Sequence, residues 1–446
     1  MFEKLDQILI LPTQPDYKEK VNRLREKKTP AGRFAGYDSE DSRAVLTIVR
    51  RVAELGDEAI AEYTEKFDGV KLTPREFRVS KSELKKAHNE IARKNPQLLA
   101  SIRKAIRNVR KYQSKIFIGN RKYPGLRYTP IKRVGICVPG ASAPLPSTVI
   151  MTAVPALVAG VKSKDIVVVS PPRYKKSIHP VTVAVCWELG IENVYRIGGA
   201  QAVAALASGK GSIPKVDKIV GPGNKWVQTA KKMVSGDYVA IDSIAGPSEI
   251  LIIANDKANP AWVAADMLSQ AEHAGDSTAV TVTDSEAIAK AVLYELKKQL
   301  TVLPRVEDTA ESLRKLGAIV IVKNMDEGIE LANNLASEHL EIQCGKKNWK
   351  IANKIENAGA IFIGGYSPVA VGDYWAGPSH TLPTGQTAKF SSALTSNDFI
   401  KSISIIEYSK ERLAESAADI IRLAEAEGLD AHAKSIRLRL GLRQDE

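Results

Sequence analysis

The sequence predicts an α/β fold with two parallel sheets, and three observations carry that prediction. Short, branched apolar runs alternate with helical segments from Val134 to about Val239, and again from Ile250 onward, the pattern of βαβ units. Glycine-rich loops follow several of the runs, where parallel strands hand over to crossover helices. A chain of 446 residues with 44% hydrophobic content is long enough to bury more than one core.

In chain order, residues 1–33 read as a polar, mostly helical arm with little core of its own. Helical periodicity is clear from Ser42 to Phe67 and from Ser82 to Tyr112. The first alternating block places strands in VGICVP, DIVVVSPP, NVYRIGG, KIVGPGN and DYVAID. They bracket helices near Ser147 to Val158, Val181 to Leu189 and Ala200 to Ala207. The loops PGASAP, GGAQA and GPGN fall just after strands. None is GxGxxG, and a glycine loop before a helix serves equally as a phosphate cradle or as a tight βα turn.

The stretch IDSIAGPSEILIIANDKANPAWVAADMLSQAEHAGD combines a turn, a strand and a helix. AGPSE signals the turn, and Ile250 to Ala254 is apolar enough for a strand buried on both faces. Asn259 as N-cap and Pro260 in the first turn open a helix running through Met267 to Gln270 and His273. An i, i+3 pair on one helix face can hold a metal ion, or it can be a polar helix end facing water.

Alternation then resumes. Thr278 to Val282 reads as a strand, Asp284 as the cap of a helix to Leu300, and Ala318 to Val322 as a strand. Asn324 with Glu327 makes a capping-box variant, opening a helix that ends in LASEHLE and carries Glu338 and His339. Two similar α/β units make two Rossmann-like parallel-sheet domains, with internal duplication an open possibility. Ala360 to Ile363 forms a further strand before GGYSPVAVGDYWAGPSHTLPTGQTAKFSS, which contains Asp373 and His380. A Gly/Pro-rich loop of that length inside a compact chain points to function. The end of the chain offers a β-like ISIIEY and two helices, with Glu427 and His432 in AEGLDAHAKS. This tail is too small and polar to fold alone.

The net charge of +13 raises nucleic acid as a partner. The basic clusters at 18–28 and 103–122 have helical apolar spacing and no interleaved aromatics, so they read as solvated helix faces rather than a base-stacking platform. Three widely spaced cysteines, Cys137, Cys186 and Cys344, form no CxxC pair and predict no disulfide framework. The N-terminus fits neither a signal nor a transit peptide, and the apolar stretches are too short to span a bilayer. A cytoplasmic enzyme without membrane or nucleic-acid partners is the expectation. Four of the six histidines, His273, His339, His380 and His432, fall in segments with other polar candidates; His88 and His179 sit in lysine-rich surroundings and read as structural.

IDSIAGPSEILIIA with SQAEH, then ASEHLE, GDYWAGPSHTLPT with FSS, and GLDAH, together with VPG, GGAQAVAALA and GPGN, resemble in order the conserved blocks of the histidinol dehydrogenases. The resemblance covers nearly the whole chain. It implies a zinc- and NAD-dependent oxidation of L-histidinol to L-histidine. Zinc, one per subunit, would be held by Gln270, His273, Asp373 and His432, a set with one formal negative charge that leaves a divalent ion electrophilic. His339 would be the general base and Glu338 the group that activates water. Ser248, His380 and Glu427 match substrate-contacting positions, beside Gln270, His273, His339, Asp373 and His432. Gln201 and Asn224 match NAD contacts; where some members place a tyrosine beside the nucleotide, this chain has Cys137, with less stacking area.

The resemblance also implies a two-fold homodimer whose C-terminal tail crosses to complete the partner's site. The expected organisation is an N-terminal arm at 1–33, a first α/β domain from 34–133 with 248–395, an NAD-binding domain at 134–247, and a dimer-crossing tail at 396–446. Three other readings remain on the residues alone: a related zinc and NAD enzyme acting on another polar alcohol, a zinc hydrolase with Glu338 as base, and a nucleic-acid-binding module.

Overall fold

A computed structural model describes residues 3–26, 39–140, 144–244, 246–273 and 277–443. The end of the N-terminal arm, the centre of the PGASAP loop, the alanine of AGPSE, the AGD after His273 and the last three residues lie outside the described residues. The chain divides into two compact units, Met1–Ile118 with Pro130–Ile400 and Gly119–Thr129 with Lys401–Glu446.

The strands are β1 (Leu9–Ile10), β2 (Leu126–Pro130), β3 (Val134–Cys137), β4 (Ile166–Val169), β5 (Asn193–Tyr195), β6 (Lys218–Val220), β7 (Ala240–Ile241), β8 (Glu249–Ala254), β9 (Thr278–Thr283), β10 (Gly317–Ile321), β11 (His339–Gln343), β12 (Ala360–Ile363) and β13 (Ile400–Ser404). The larger unit contains a five-stranded sheet in the order β5-β4-β3-β6-β7 and a six-stranded sheet in the order β1-β10-β9-β8-β11-β12. Every pair in both sheets is parallel. Two Rossmann-like α/β layers are therefore present, as the alternation predicts.

Two helical segments sit elsewhere than expected. Val45, Ile60 and Tyr63 join one apolar cluster with Val167, Tyr195 and Leu206, while Leu84, Ile106 and Val109 join another with Ile136 and Val168. The helices between 40 and 116 thus cover the five-stranded sheet, not the sheet of residues 248–395. A parallel sheet has two apolar faces to cover, and these amphipathic stripes supply the cover. The N-terminal arm is also more than a helical appendage. β1 pairs with β10 at the sheet edge, and Leu5, Ile8, Ile10, Val21 and Leu24 are buried in the two clusters flanking the six-stranded sheet.

Local chemistry shifts three further boundaries. The helix Pro260–Ala271 starts as predicted, with the Asn259 side chain accepting the Ala261 N–H at 3.0 Å, but it ends at Ala271, so His273 lies just past its last turn. Ser285, not Asp284, caps Glu286–Leu300, because its hydroxyl is the one that accepts the Ile288 N–H. The helix Met325–Leu335 stops at Ala336, which is left-handed at φ 43°, and Glu338 and His339 lead into β11 rather than ending a helix. Asn324 accepts the Glu327 N–H at 3.0 Å, and Glu327 takes the Lys323 N–H at 2.9 Å, a capping box displaced by one residue.

In the smaller unit β2 pairs with β13, and the helices Lys410–Ala426 and Asp430–Leu440 close a small core of Ile421, Ala424 and Ala433. Gly119–Thr129, expected with the first α/β domain, belongs here because its strand finds its partner in the tail. Among the described residues no helix is long and apolar enough to cross a membrane. Cys137, Cys186 and Cys344 are buried free thiols.

Candidate active site

The six-stranded sheet presents its candidate residues at the amino ends of its strands. β8 begins with Glu249 and β11 with His339, and the two strands are neighbours with His339 in register with Ile250. The Glu249 N–H donates to the Glu338 carboxylate at 2.9 Å, and the Glu249 carbonyl accepts from Nδ1 of His339 at 2.9 Å. With Nδ1 committed as donor, Nε2 carries the free lone pair. The Glu338 carboxylate also stands 3.7 Å from that Nδ1. Burial, opposed in part by the bond to Glu249 and reinforced by nearby His273 and His380, pushes the His339 imidazole down to about 3. It is neutral at neutral pH, as a base must be.

Around this pair stand the other candidates. Gln270 is buried at 1% exposure, and its Oε1 has no hydrogen-bond partner among the described residues. His273 is exposed and pairs Nδ1 with the Ser269 carbonyl at 3.0 Å, which leaves Nε2 open. Asp373 sits on the short helix Val369–Tyr374, its carboxyl raised to about 6 by burial against the opposing pull of His273. His380 places Nδ1 3.8 Å from the Asp373 carboxylate and is pushed down to about 4 by burial and by His273, against a bond to the Asp373 main chain. His273 thus acts electrostatically on His339, Asp373 and His380 alike, which brings the four together. Ser248 is half-buried in the turn before β8, and its carbonyl accepts the Thr278 N–H at 2.9 Å.

Among the described residues no group of three or more His, Cys, Asp or Glu is arranged to hold a metal ion. The set implied by the resemblance includes only two such residues in this unit, His273 and Asp373, and its third member here is an amide. The donors nonetheless suit a divalent cation: an orphaned amide oxygen on Gln270, an open imidazole nitrogen on His273 and a carboxyl on Asp373. His432 and Glu427 belong to the smaller unit, both exposed, Glu427 closing one helix and His432 in the first turn of the next.

The nucleotide candidates lie where strands of the five-stranded sheet give way to helices: Cys137 ends β3, Gln201 is in the first turn of the helix Gly199–Ser208, and Asn224 caps Lys225–Val234. Gln201 is fully buried, and among the described residues neither Oε1 nor Nε2 of its amide has a partner. A Cβ on Gly199, which has φ +68°, would meet the Gln201 side chain at 2.6 Å, and one on Gly221, at φ +104°, would meet the Cys137 carbonyl at 2.3 Å. The left-handed backbone disfavours a larger residue at both glycines, the main chain of Cys137 excludes one at Gly221, and the orphaned amide suits a polar ligand. Asn224 is exposed and caps the helix Lys225–Val234, accepting the Val227 N–H at 3.2 Å. The Cys137 side chain is buried in the apolar cluster with Val167 and Tyr195, its thiol pushed up to about 12 by desolvation. His88 bonds Glu188 at 2.8 Å and His179 caps a helix, structural roles for both.

The seven residues Asp242 to Ser248 join β7 to β8 and span at most about 25 Å. They bring the carboxyl edge of one sheet to the amino edge of the other. Sequence reasoning missed Glu249 at this junction, although an acidic residue opening an otherwise apolar strand is a readable signal. It also missed the fully buried Lys231, which bonds the Gly221 carbonyl at 3.0 Å and the Asp242 carboxylate, while Asp242 accepts the Gly221 N–H at 2.7 Å.

A histidinol dehydrogenase family profile matches residues 34–440. A histidinol dehydrogenase of Heliobacterium mobile is 46% identical over 90% of this chain and 94% of its own, and that of Halalkalibacterium halodurans is 45% identical over 89% and 93%. The crystal structure of histidinol dehydrogenase from Elizabethkingia anophelis superposes with a TM-score of 0.83 at 36% identity, over 90% of this chain and 93% of the other. A profile and relatives of this reach settle the kinship: the chain belongs to the histidinol dehydrogenase family.

Proposed function

We propose that this oxidoreductase of histidine biosynthesis converts L-histidinol to L-histidine through histidinal in one site, as a cytoplasmic homodimer using zinc and two NAD+. The observation that carries the reading is the buried Glu338–His339 pair, both members oriented by the main chain of Glu249.

When bound, zinc supplies a Lewis acid for the substrate's imidazole and amino nitrogens, and NAD+ supplies the hydride acceptor. Gln270, His273 and Asp373 would hold the metal together with His432 of a second copy. The orphaned Oε1 of Gln270 supports this set. Ser248, His380 and Glu427 would line the substrate. Gln201, in the first turn of the helix Gly199–Ser208, and Asn224, the N-cap of Lys225–Val234, would contact NAD+, with Cys137 at the end of β3 the third candidate.

In the first oxidation Nε2 of His339 takes the hydroxyl proton as hydride leaves the carbinol carbon. The Glu338 carboxylate then takes a proton from the water that adds to the aldehyde carbon. His339 accepts a proton again as the hydrate gives up its second hydride. One water enters, two hydrides leave, and the acid product remains. Holding the reactive aldehyde in a single site protects it from the cell.

The test is NADH formation from L-histidinol, with histidine counted, after EDTA treatment and again with zinc restored. Two NADH per histidine, lost on chelation and regained with zinc, are expected. A zinc-loaded, NAD-saturated enzyme that leaves L-histidinol untouched would overturn the reading.

A further inference from the structure

A polar row runs along β11, one strand in from the edge of the six-stranded sheet. β11 reads His339, Leu340, Glu341, Ile342, Gln343, and all five residues are 5% exposed or less. Period two sends Leu340 and Ile342 into an apolar cluster and puts His339, Glu341 and Gln343 on the opposite face, toward the helix Pro260–Ala271. Acidic and amide groups buried inside a parallel sheet are unfavourable compared with apolar side chains of the same shape. Something other than stability keeps them there.

Their hydrogen bonds reach three elements. Gln343 Nε2 donates to the Asp266 carboxylate at 3.1 Å and to Glu341 at 3.2 Å. The other Glu341 oxygen accepts the Val369 N–H at 3.1 Å. Asp266 and Glu341 also bond each other, which requires a proton between the two carboxyls. Burial and the neighbouring Asp266 hold Glu341 far above the usual carboxylate range, which keeps that proton in place. Asp266 lies one turn before Gln270 on its helix, Glu341 lies two residues beyond His339, and Val369 opens the helix that carries Asp373.

We propose that Asp266 and Glu341 are positioning residues for the oxidation, a buried carboxyl bridge that fixes Gln270, His339 and Asp373 relative to one another. The roles of those three residues are the ones given under the proposed function, and the inference rests on them. Neither Asp266 nor Glu341 is among the residues given a substrate contact under the proposed function. They act by holding the elements that do.

The test compares E341M, which keeps the volume but loses all three hydrogen bonds, with E341Q, which keeps a donor for Asp266 and an acceptor for Val369 and gives up only the acceptor for Gln343. I319A, a core truncation elsewhere in the same sheet, controls for lost stability. Three quantities are read: amide hydrogen exchange across Val369–Tyr374, zinc affinity by chelator competition without substrate, and kcat against KM for L-histidinol. E341M is expected to exchange that segment faster, to bind zinc about tenfold more weakly, and to lose more in kcat than in KM. E341Q recovers most of each loss, and I319A shows none of them. Exchange and zinc binding alike in E341M and I319A, or E341Q no better than E341M, would overturn the proposal. If the wild-type enzyme makes no NADH from L-histidinol, the proposed function fails by itself, while the exchange comparison still decides whether the bridge holds the helix.

Discussion

Nδ1 of His339 donates to the main-chain carbonyl of Glu249 at 2.9 Å, so strand register rather than a neighbouring side chain sets the tautomer of the base. The N–H of the same residue holds Glu338. One residue therefore orients two groups with separate tasks, and substituting them should separate the tasks.

H339N removes the proton acceptor of both oxidations, and kcat should fall about 10²- to 10⁴-fold with little change in KM. E338Q should spare the first oxidation and stall at the aldehyde, so that NADH released per histidinol consumed drops from two toward one. Equal NADH yields in E338Q and wild type would remove Glu338 from the hydration step.

The metal-free protein should lose stability in mild acid. His339 and His380 have folded values of about 3 and about 4 against an ordinary 6.5, so the native state binds fewer protons than the unfolded chain in between. Their stability is complete above 6.5 and declines as the pH falls toward those folded values, by about 2 kcal/mol for each histidine between pH 6.5 and 5. Asp373 runs the other way, from 3.8 unfolded to about 6 folded, and its contribution is present below 3.8 and lost as pH rises through 6. The histidines prevail in number. The Tm of the zinc-free protein should fall from pH 7 to pH 5, and H380N should shrink that fall; an unchanged fall would show that His380 already protonates in the folded state.

K231M leaves Asp242 buried without its cation, where Lys231 and Asp242 together clamp the GPGN loop. The expected cost is about 3–5 kcal/mol in unfolding free energy, with a raised KM for NAD+ in the protein that remains folded. Denaturant unfolding and NAD+ titration of the same preparation check both. A destabilised variant with an unaltered KM would detach this clamp from nucleotide binding.

If His432 completes the site of a second copy, two inactive variants should rescue each other. H339N mixed with H432N and allowed to exchange subunits should regain about a quarter of the sites, the share expected from random pairing of protomers. Each variant alone stays inactive. No recovery after verified exchange would place His432 in the site of its own chain.

Much of the architecture is legible in the residues because βα alternation, the Asn259–Pro260 helix start and the loops after strands are local signals. What escapes reading is relational. An amphipathic stripe such as Val45, Ile48 and Val52 says that a helix buries a face, not which of two sheets it covers. HLEIQ is hard to recognise as a buried strand because its polar members belong to an internal network rather than to solvent. Glu249 works through its peptide groups, and main-chain hydrogen bonds leave no mark on side-chain chemistry. The residues around His339 were visible as candidates through their blocks, while their common neighbourhood with His273 and His380 came only with the fold.

The edge pairing of Leu9 with Ile319 also sets a schedule for synthesis. The partners are 310 residues apart, 319 minus 9, an interval the ribosome covers in about 15–60 s at about 5–20 residues per second. The five-stranded sheet, complete by Ile241, can form well before β10 has been made. Leu5, Ile8 and Ile10, which end up buried, must wait through that interval for the strand that completes their surroundings. Residues 5–10 are thus open to a nascent-chain chaperone until β10 has been made.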